Sequence, residues 1–361
     1  MKPRSPMPAR PVATHPVARP VAAHPVAGPV AARPVAARPA RSCRPARRTA
    51  AVVLAACGLL LTACGSGDGG TAHEADAKDG AAVTVTDATG ARVEVPAAPE
   101  RVVALSEMDL DSALALGVRP VGLTAGRGQK GAPEYLAAQA KGIPVVGAVT
   151  GPDIEKVVRA RPDVILAGQT ADEQVLAQLR RIAPTVVTVG ADKSWKKSLE
   201  LTAEVLGRSG SAEEFLADYD AKAAALRKDL GARAGISVSV ARYSAKGTAV
   251  MQQGVFISDV LKDLGFRRPG IQNRRGEGHS TPISDENLKE IDGDWLFIGT
   301  LSSTGSDAGL LDALARKPAY RQLKAVGAGH ATVVDGSKWT SLGGAEAAES
   351  VLADIRKAMV G

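Results

Sequence analysis

The stretch RVVALSEMDLDSALALGVRPVGLTAG, residues 101–126, decides the fold class. Residues 102–105 are a short apolar run bounded by polar residues, the pattern of a strand buried on both faces. A polar loop follows at 106–109. Apolar residues then recur at helical spacing over 110–116, and Gly117 stands where a left-handed helix cap belongs. Residues 121–123 predict a second strand. Parallel strand–helix–strand crossovers of this kind are right-handed almost without exception. In open α/β sheets ligands bind beyond the carboxyl ends of strands, so the loops after Leu105 and Leu123 are candidate ligand loops.

A weaker copy of the helix lies in the second half. Asp111-Ser-Ala-Leu-Ala-Leu-Gly117 aligns with Asp259-Val-Leu-Lys-Asp-Leu-Gly265, each with an Asp six residues before the terminal Gly. Either both are ordinary amphipathic helices with Gly caps, or they mark two similar lobes about one domain apart.

Working outward, VTVTDATGARVEV at 83–95 alternates apolar and polar residues around Asp87-Ala-Thr-Gly90 and predicts a hairpin. From residue 131 the pattern predicts helix 133–140, strand 144–146, helix 154–160, strand 163–167, helix 172–182 and strand 185–189. Strands alternating with helices argue for a parallel α/β lobe. Residues 193–233 carry little strand character. Helices are expected over 194–206 and 212–230, with Ser211 and Glu214 as a capping box. The α/β rhythm then returns: strands at 237–241, 249–251, 295–298 and 331–334, helices at 256–264, 285–290, 308–315, 319–323 and 344–359. Between them RRPGIQNRRGEGHSTP, residues 267–282, is a long basic, glycine-rich loop, and loops of that length inside a compact domain are usually functional or disordered. The boundaries drawn are 83–192 for a first lobe, 193–233 for a bridging helical segment and 234–361 for a second lobe.

The amino-terminal part has a different character. Residues 1–48 repeat Pro-Val-Ala among Arg, His and Ala, a composition that blocks helix and sheet. Arg47 and Arg48, the apolar run 50–61 and Leu61-Thr62-Ala63-Cys64 then define a secretory signal at 47–63, with a core too short to span a bilayer. Leu-Thr-Ala-Cys resembles the lipobox of bacterial lipoproteins, which implies cleavage before Cys64 and a diacylglyceryl group on its sulfur. Residues 64–82 read as a flexible tether.

Cleavage would reverse the charge argument. The chain has a net charge of +7, but ten of its 45 basic residues and none of its 38 acidic ones precede Cys64. The remainder carries 35 basic and 38 acidic residues, a net of −3, so a nucleic-acid partner is set aside. Of the three cysteines only Cys64 would remain, which leaves no disulfide. About 280 folded residues suffice for two lobes with real cores.

PERVVAL at 99–105, ALGVRPVG at 115–122, ARPDVILA at 160–167, ISDENLKEIDGDWLFIG at 283–299 and Trp339 with Gly343-Gly344 ahead of the last helix carry a resemblance. In that order and spacing, from about Val83 to the end, the chain resembles the periplasmic-type binding proteins of ferric-siderophore and vitamin B12 importers. The resemblance implies an α/β fold of two Rossmann-like lobes joined by one long bridging helix, the class III periplasmic binding architecture. It implies a membrane-anchored extracellular solute-binding protein that hands its ligand to an ABC permease without catalysing a reaction or holding a cofactor of its own.

 A monomer is expected.

The resemblance also assigns residues. Asp111 and Asp259, one on each lobe, fall where the family pairs acidic residues with permease arginines. Arg242 follows the first strand of the second lobe, where the family grips anionic ligand oxygens, and a guanidinium fork suits chelate oxygens. Trp339 stands where an aromatic often lies against the siderophore; its alternative is a core Trp. Arg127, Gln169, Tyr243, Gln252, Arg274 and Arg275 lie in loops predicted to face the cleft. His73, His279 and His330 are too dispersed for a three-His metal site. The ligand is expected to be an iron–siderophore chelate. A haem or corrinoid is the alternative, with His279 or Tyr243 as axial ligand. A surface enzyme is disfavoured by the lack of GxSxG, HExxH or a phosphate loop. Arginines point to a catecholate or citrate complex; overall composition tips the choice slightly toward a hydroxamate.

Overall fold

The computed structural model describes residues 81–148, 150–276 and 278–361. The extension at 1–48, the signal at 47–63, the lipidation of Cys64 and nearly all of the tether lie outside the described residues. The chain opens on a hairpin, β1 (Ala82–Thr86) antiparallel to β2 (Arg92–Pro96). Its turn is fixed by Asp87, whose Oδ1 accepts from the Thr89 and Ala91 amides at 2.8 and 3.0 Å.

The first lobe is built on a six-stranded sheet. Its strands are β3 (Val102–Ala104), β4 (Gly122–Ala125), β5 (Val145–Ala148), β6 (Gly151–Pro152), β7 (Val164–Leu166) and β8 (Thr185–Val186). They run in the order β6-β5-β4-β3-β7-β8, parallel throughout except for β5 with β6. The chain moves outward from β3 through β4, then returns to its other side at β7, so β3 is the topological switch point. Helix α1 (Glu107–Ala115) follows β3, α2 (Ile154–Ala160) precedes β7 and α3 (Glu173–Leu179) follows it. Helix α1 starts three residues earlier than the sequence pattern placed it. Ser106 is its N-cap, accepting from the Asp109 amide at 3.0 Å, and acidic residues fill the first turn.

Two helices cross to the second lobe: α4 (Trp195–Val205) and α5 (Ser209–Leu230), the latter about 33 Å long. The expected capping box does not form, because α5 already begins at Ser209 and leaves Ser211 inside its first turn. The second sheet holds β9 (Val238–Ser244), β10 (Gly247–Val250), β11 (Trp295–Gly299) and β12 (Ala331–Val333) in the order β10-β9-β11-β12. Only β9 with β10 is antiparallel. Helix α6 (Phe256–Asp263) follows β10; the short helices α7 (Leu310–Ala315), α8 (Pro318–Arg321), α9 (Lys324–Gly327) and α10 (Gly336–Trp339) lead to the closing α11 (Ala345–Met359). The long basic loop is ordered by a 3-10 turn at Gly270–Asn273 and by strand-like bridges from Met251 to His279 and Gln253 to Arg275.

One apolar core runs through both lobes. Val102, Met108 and Leu166 of the first sheet side join Trp195, Leu199 and Tyr219 of α4 and α5, and continue into Val240, Phe256, Phe297 and Val351. Smaller clusters cover the opposite sheet faces, around Ile165 in the first lobe and Leu296 in the second. This explains why the strands read as continuous apolar runs rather than alternating ones.

The lobes also share a polar joint. Helix α11 has Gly344 as N-cap and so brings no capping side chain of its own. Asp111 of α1, fully buried, supplies it: its carboxylate accepts from the amides of Gly344, Glu346 and Ala347 at 3.2, 2.8 and 3.1 Å, and from Tyr135 Oη at 2.7 Å. A negative charge at a helix N-terminus is favoured by the exposed N–H groups there. Glycine is required at 344, since a Cβ would lie 2.6 Å from Asp111 Oδ1. The expectation that Asp111 docks on a permease is therefore corrected: no part of it reaches solvent.

Gly344→Ala is expected to destabilise the fold by about 2 kcal/mol or more, measured by urea unfolding. The pH dependence follows from burial, which pushes Asp111 and the equally buried Asp109 up to about 6, above their ordinary 3.8. The folded state then holds these protons more tightly than the unfolded chain. Their contribution is full below about pH 4 and is lost as pH rises through 6, by about 3 kcal/mol per group. Asp111→Asn should flatten the dependence of the urea midpoint on pH over that window, while lowering stability at every pH through its lost acceptor oxygen.

Candidate functional site

Strand ends from both sheets converge on one cleft between the lobes. Arg127 comes from the loop after β4, Gln169 from the loop after β7, and Lys193 from the segment beyond β8. Across from them stand Arg242 near the end of β9, Leu301 after β11, and Thr340, Ser341 and Leu342 ahead of α11. Met251, Val255 and His279 complete the second wall around a cavity of about 250 Å³. The wall is made of the loops that the strand-end rule singles out in each lobe.

Arg127 is held from beneath by Glu107, which is only 3% exposed. The carboxylate accepts from the Arg127 amide at 2.6 Å and from Nη1 at 2.8 Å. It also accepts from Ser341 Oγ at 2.5 Å and the Leu342 amide at 3.3 Å, so it ties the floor of the cleft across the two lobes. Glu107 was read from sequence as part of a loop; Ser106 as a cap was the signal that could have placed it in the first turn of α1.

Arg242 is placed differently. Its Nη1 donates to the Thr340 carbonyl at 3.1 Å, and it forms no ion pair among the described residues. Burial first, and the neighbouring Arg127 charge second, push its guanidinium below the usual arginine range. Alternation along β9 explains its aim. Val240 and Arg242 share one face, while Ala241 and Tyr243 share the other.

That alternation corrects two expectations for Tyr243. It is 7% exposed, packed in the cluster behind the second sheet with Lys317 Nζ 5.5 Å from its ring centroid. It lines no part of the cleft and is no axial ligand there. Trp339 is corrected as well: it is fully buried, stacked on Phe297 at 4.4 Å, and donates Nε1 to Asp354 at 2.8 Å. A ring so enclosed offers no face to a ligand. Gln252 turns toward the glycine-rich loop, donating Nε2 to the Ile271 carbonyl at 3.4 Å, and Arg274 is exposed outside the cavity wall. Asp259 is half-buried beside Trp195, Lys262 and Arg275 in a separate concavity. The sequence-predicted residues that the structure brings together in the cleft are Arg127, Gln169 and Arg242.

A larger concavity of about 840 Å³ lies between the β1–β2 turn and helices α4 and α5. Asp87, Asp192, Glu200, Glu204 and Glu213 line it against the single Lys197. That field repels an anionic chelate, so size alone does not select the site.

Two α/β lobes on a shared core, with a ligand-sized cleft at their facing strand ends, define a two-lobed solute-binding protein. Over residues 102–336 the chain matches the periplasmic binding protein family, and it belongs to that family of substrate-binding proteins rather than to an enzyme family. It is 31% identical over 306 residues to the probable siderophore-binding lipoprotein YfiY of Bacillus subtilis, covering 82% of this chain and 93% of that one. The achromobactin-binding periplasmic protein of Dickeya dadantii is 28% identical, over 72% and 86% of the two chains. Among solved structures, Staphylococcus aureus SirA complexed with staphyloferrin B matches with a TM-score of 0.67 and 28% identity, covering 76% of this chain and 97% of that one. The two-lobed class III architecture is thus the architecture of this chain.

Trp339→Phe should lower stability by about 1–2 kcal/mol through the lost Asp354 hydrogen bond. It should leave ligand affinity unchanged within about twofold, as titration calorimetry would show.

Proposed function

We propose that the protein captures a ferric siderophore at the Arg127–Arg242 cleft and delivers it to an ABC importer for iron uptake. The observation that carries the reading is the convergence of Arg127, Lys193 and Arg242 on one cavity at the strand ends of two lobes. Guanidinium groups match the oxygens of an anionic chelate, and Gln169, Thr340 and Ser341 add neutral polar groups around it. The named ligands of relatives support the same reading: achromobactin and staphyloferrin B. Iron enters as part of the chelate and is cargo.

The haem or corrinoid reading is weaker on this geometry. Of its two candidate axial ligands, Tyr243 is in the core, and His279 engages the Ser280 carbonyl through Nδ1 at 2.8 Å.

Two relatives carry the word lipoprotein in their names. With the lipobox ending at Cys64, this supports a protein tethered by lipid to the outer face of the cytoplasmic membrane. Permease docking would then use carboxylates that reach solvent; Asp259 is a candidate and Asp111 is not. Asp259→Lys is expected to leave chelate affinity unchanged and to slow iron uptake by cells; unchanged uptake would remove Asp259 from the docking surface.

The binding test is equilibrium dialysis of the purified protein against ferric siderophores, haem and cobalamin. Saturable retention of a ferric siderophore, weakened at least tenfold by Arg242→Gln, is the expected outcome. Retention of haem or cobalamin alone would sink the reading.

A further inference from the structure

Resting on the lipid-anchor reading, we propose that the base of the first lobe, at the amino-terminal ends of its parallel strands, is a contact surface for anionic lipid headgroups. In that contact the cleft faces away from the bilayer.

The first observation is a cation on every loop that feeds a parallel strand of the sheet. Strands β3, β4, β5, β7 and β8 run parallel, so the loops that enter them lie on one face. Arg101 precedes β3, Arg119 precedes β4, Lys141 precedes β5, Arg161 precedes β7, and Arg180 and Arg181 precede β8. All six are exposed. The carboxylates on the same loops are Glu100 and Asp163, so six cations against two carboxylates leave an excess of four positive charges. Asp163 is already engaged, accepting from the amides of Glu100 and Arg101 at 2.7 and 3.0 Å. Arg101 donates to the carbonyls of Ala160 and Arg161, and Arg119 to those of Gln139 and Lys141. These bonds fix both guanidinium groups without neutralising them. Among the described residues only Arg180 of the six has an ion pair, with Glu173 at 3.4 Å, and both partners are exposed.

The second lobe does not share the pattern. Its matching loops, before β9, β11 and β12, carry Arg233 against Asp292 and Asp294. The excess also runs against the chain from Cys64 onward, which has 35 basic and 38 acidic residues. A general surplus of surface cations is therefore not its cause.

The second observation is where the chain enters the fold. The Ala97 amide donates to the Ala81 carbonyl at 2.8 Å, so the first described residue lies beside residue 97. From there to Arg101 the chain spans no more than about 14 Å. Residues 64–80 reach no further than about 60 Å. An anchor at Cys64 thus joins the lobe at the edge of its basic face. A cluster of about four to eight cations beside an anchor is drawn to anionic headgroups, and the pull fades over a Debye length, about 8 Å at physiological salt. Two exposed valines, Val83 just inside β1 and Val158 three residues before Arg161, add apolar contact near these loops. Glu204 and Glu213 flank the α4–α5 corner, where Gly207 packs on Ala97, and bound the face on that side. Arg127 and Gln169 follow the carboxyl ends of the same parallel strands, so the cleft stays open to ligand.

The test uses the full-length protein in its processed form, extracted from membranes and reconstituted on vesicles of phosphatidylcholine or of phosphatidylglycerol. A fluorophore on Gln139→Cys reports on the base, and one on Ala171→Cys, in the loop after β7, reports on the cleft end. The quencher is a lipid spin-labelled at its headgroup. On phosphatidylglycerol at low salt the label at 139 should be quenched at least about threefold more than the label at 171. That ratio should fall toward one on phosphatidylcholine, or in about 0.5 M salt. Lys141→Glu with Arg181→Glu cancels the excess of four and should abolish the ratio, with melting temperature and ferric-siderophore affinity unchanged. Equal quenching of the two labels on phosphatidylglycerol, or a ratio indifferent to salt and to charge reversal, would overturn the proposal and leave the anchor in place. Retention on phosphatidylcholine reports the anchor by itself. Protein retained by neither vesicle would remove the anchor and the proposal together, whereas retention on phosphatidylglycerol alone would remove the anchor and keep the basic face as the lipid contact.

Discussion

A helix that cannot cap itself holds the lobes in register. Helix α11 begins at Gly344, so its first amides depend on Asp111 of α1 for an acceptor. Removing that carboxylate would strand three backbone donors and the Tyr135 hydroxyl in the interior, where each unsatisfied group costs about 1–3 kcal/mol. The contact needs close approach, and glycine at 344 is what permits it. Sequence, local conformation and long-range packing meet at this one joint, some 233 residues apart in the chain.

The joint bears on how the cleft works. A bridge of helices alone would let two independent lobes swing. Here the largest apolar cluster passes from Met108 through Trp195 and Tyr219 to Phe256 and Trp339 without a break, and Asp111 and Glu107 add polar ties between the same elements. Opening the lobes widely would expose that core at about 25 cal/mol for each Å² of apolar surface. Adaptation to a ligand is therefore left to side chains and loops at the strand ends. Arg127 and Gln169 are on loops of that kind, whereas Arg242 is carried by a paired strand.

Much of the fold was legible because its signals are local. The apolar runs at 102–105 and 163–167 are buried strands, and Gly117 and Gly265 end their helices in the left-handed conformation with matching amide bonds, Val118 to Ala113 and Phe266 to Leu261. The strand-end rule led to the loops that carry Arg127 and Gln169. What failed was the reading of side-chain destination. Trp339 and Tyr243 lie next to cleft residues in sequence, but one is turned into the core by α10 and the other by the alternation of β9. Neither direction is encoded in residue type.

The paired Asp-to-Gly helices make the same distinction sharper. The backbone part of the likeness is real: both helices end on the same cap, one in each lobe. The acidic side chains six residues earlier do not share a fate. Asp111 is sealed under Gly344, whose missing Cβ lets α11 come close. Asp259 meets helix α4 and a mixed set of charged groups, and stays half-buried. A repeat in sequence thus carries over what the backbone does by itself, while the role of a charge is set by whatever packs against it. For this chain that neighbour is Gly344, one of the pair that marks the family resemblance: it is explained by the carboxylate it admits, whereas Gly343 makes room for the Phe256 ring.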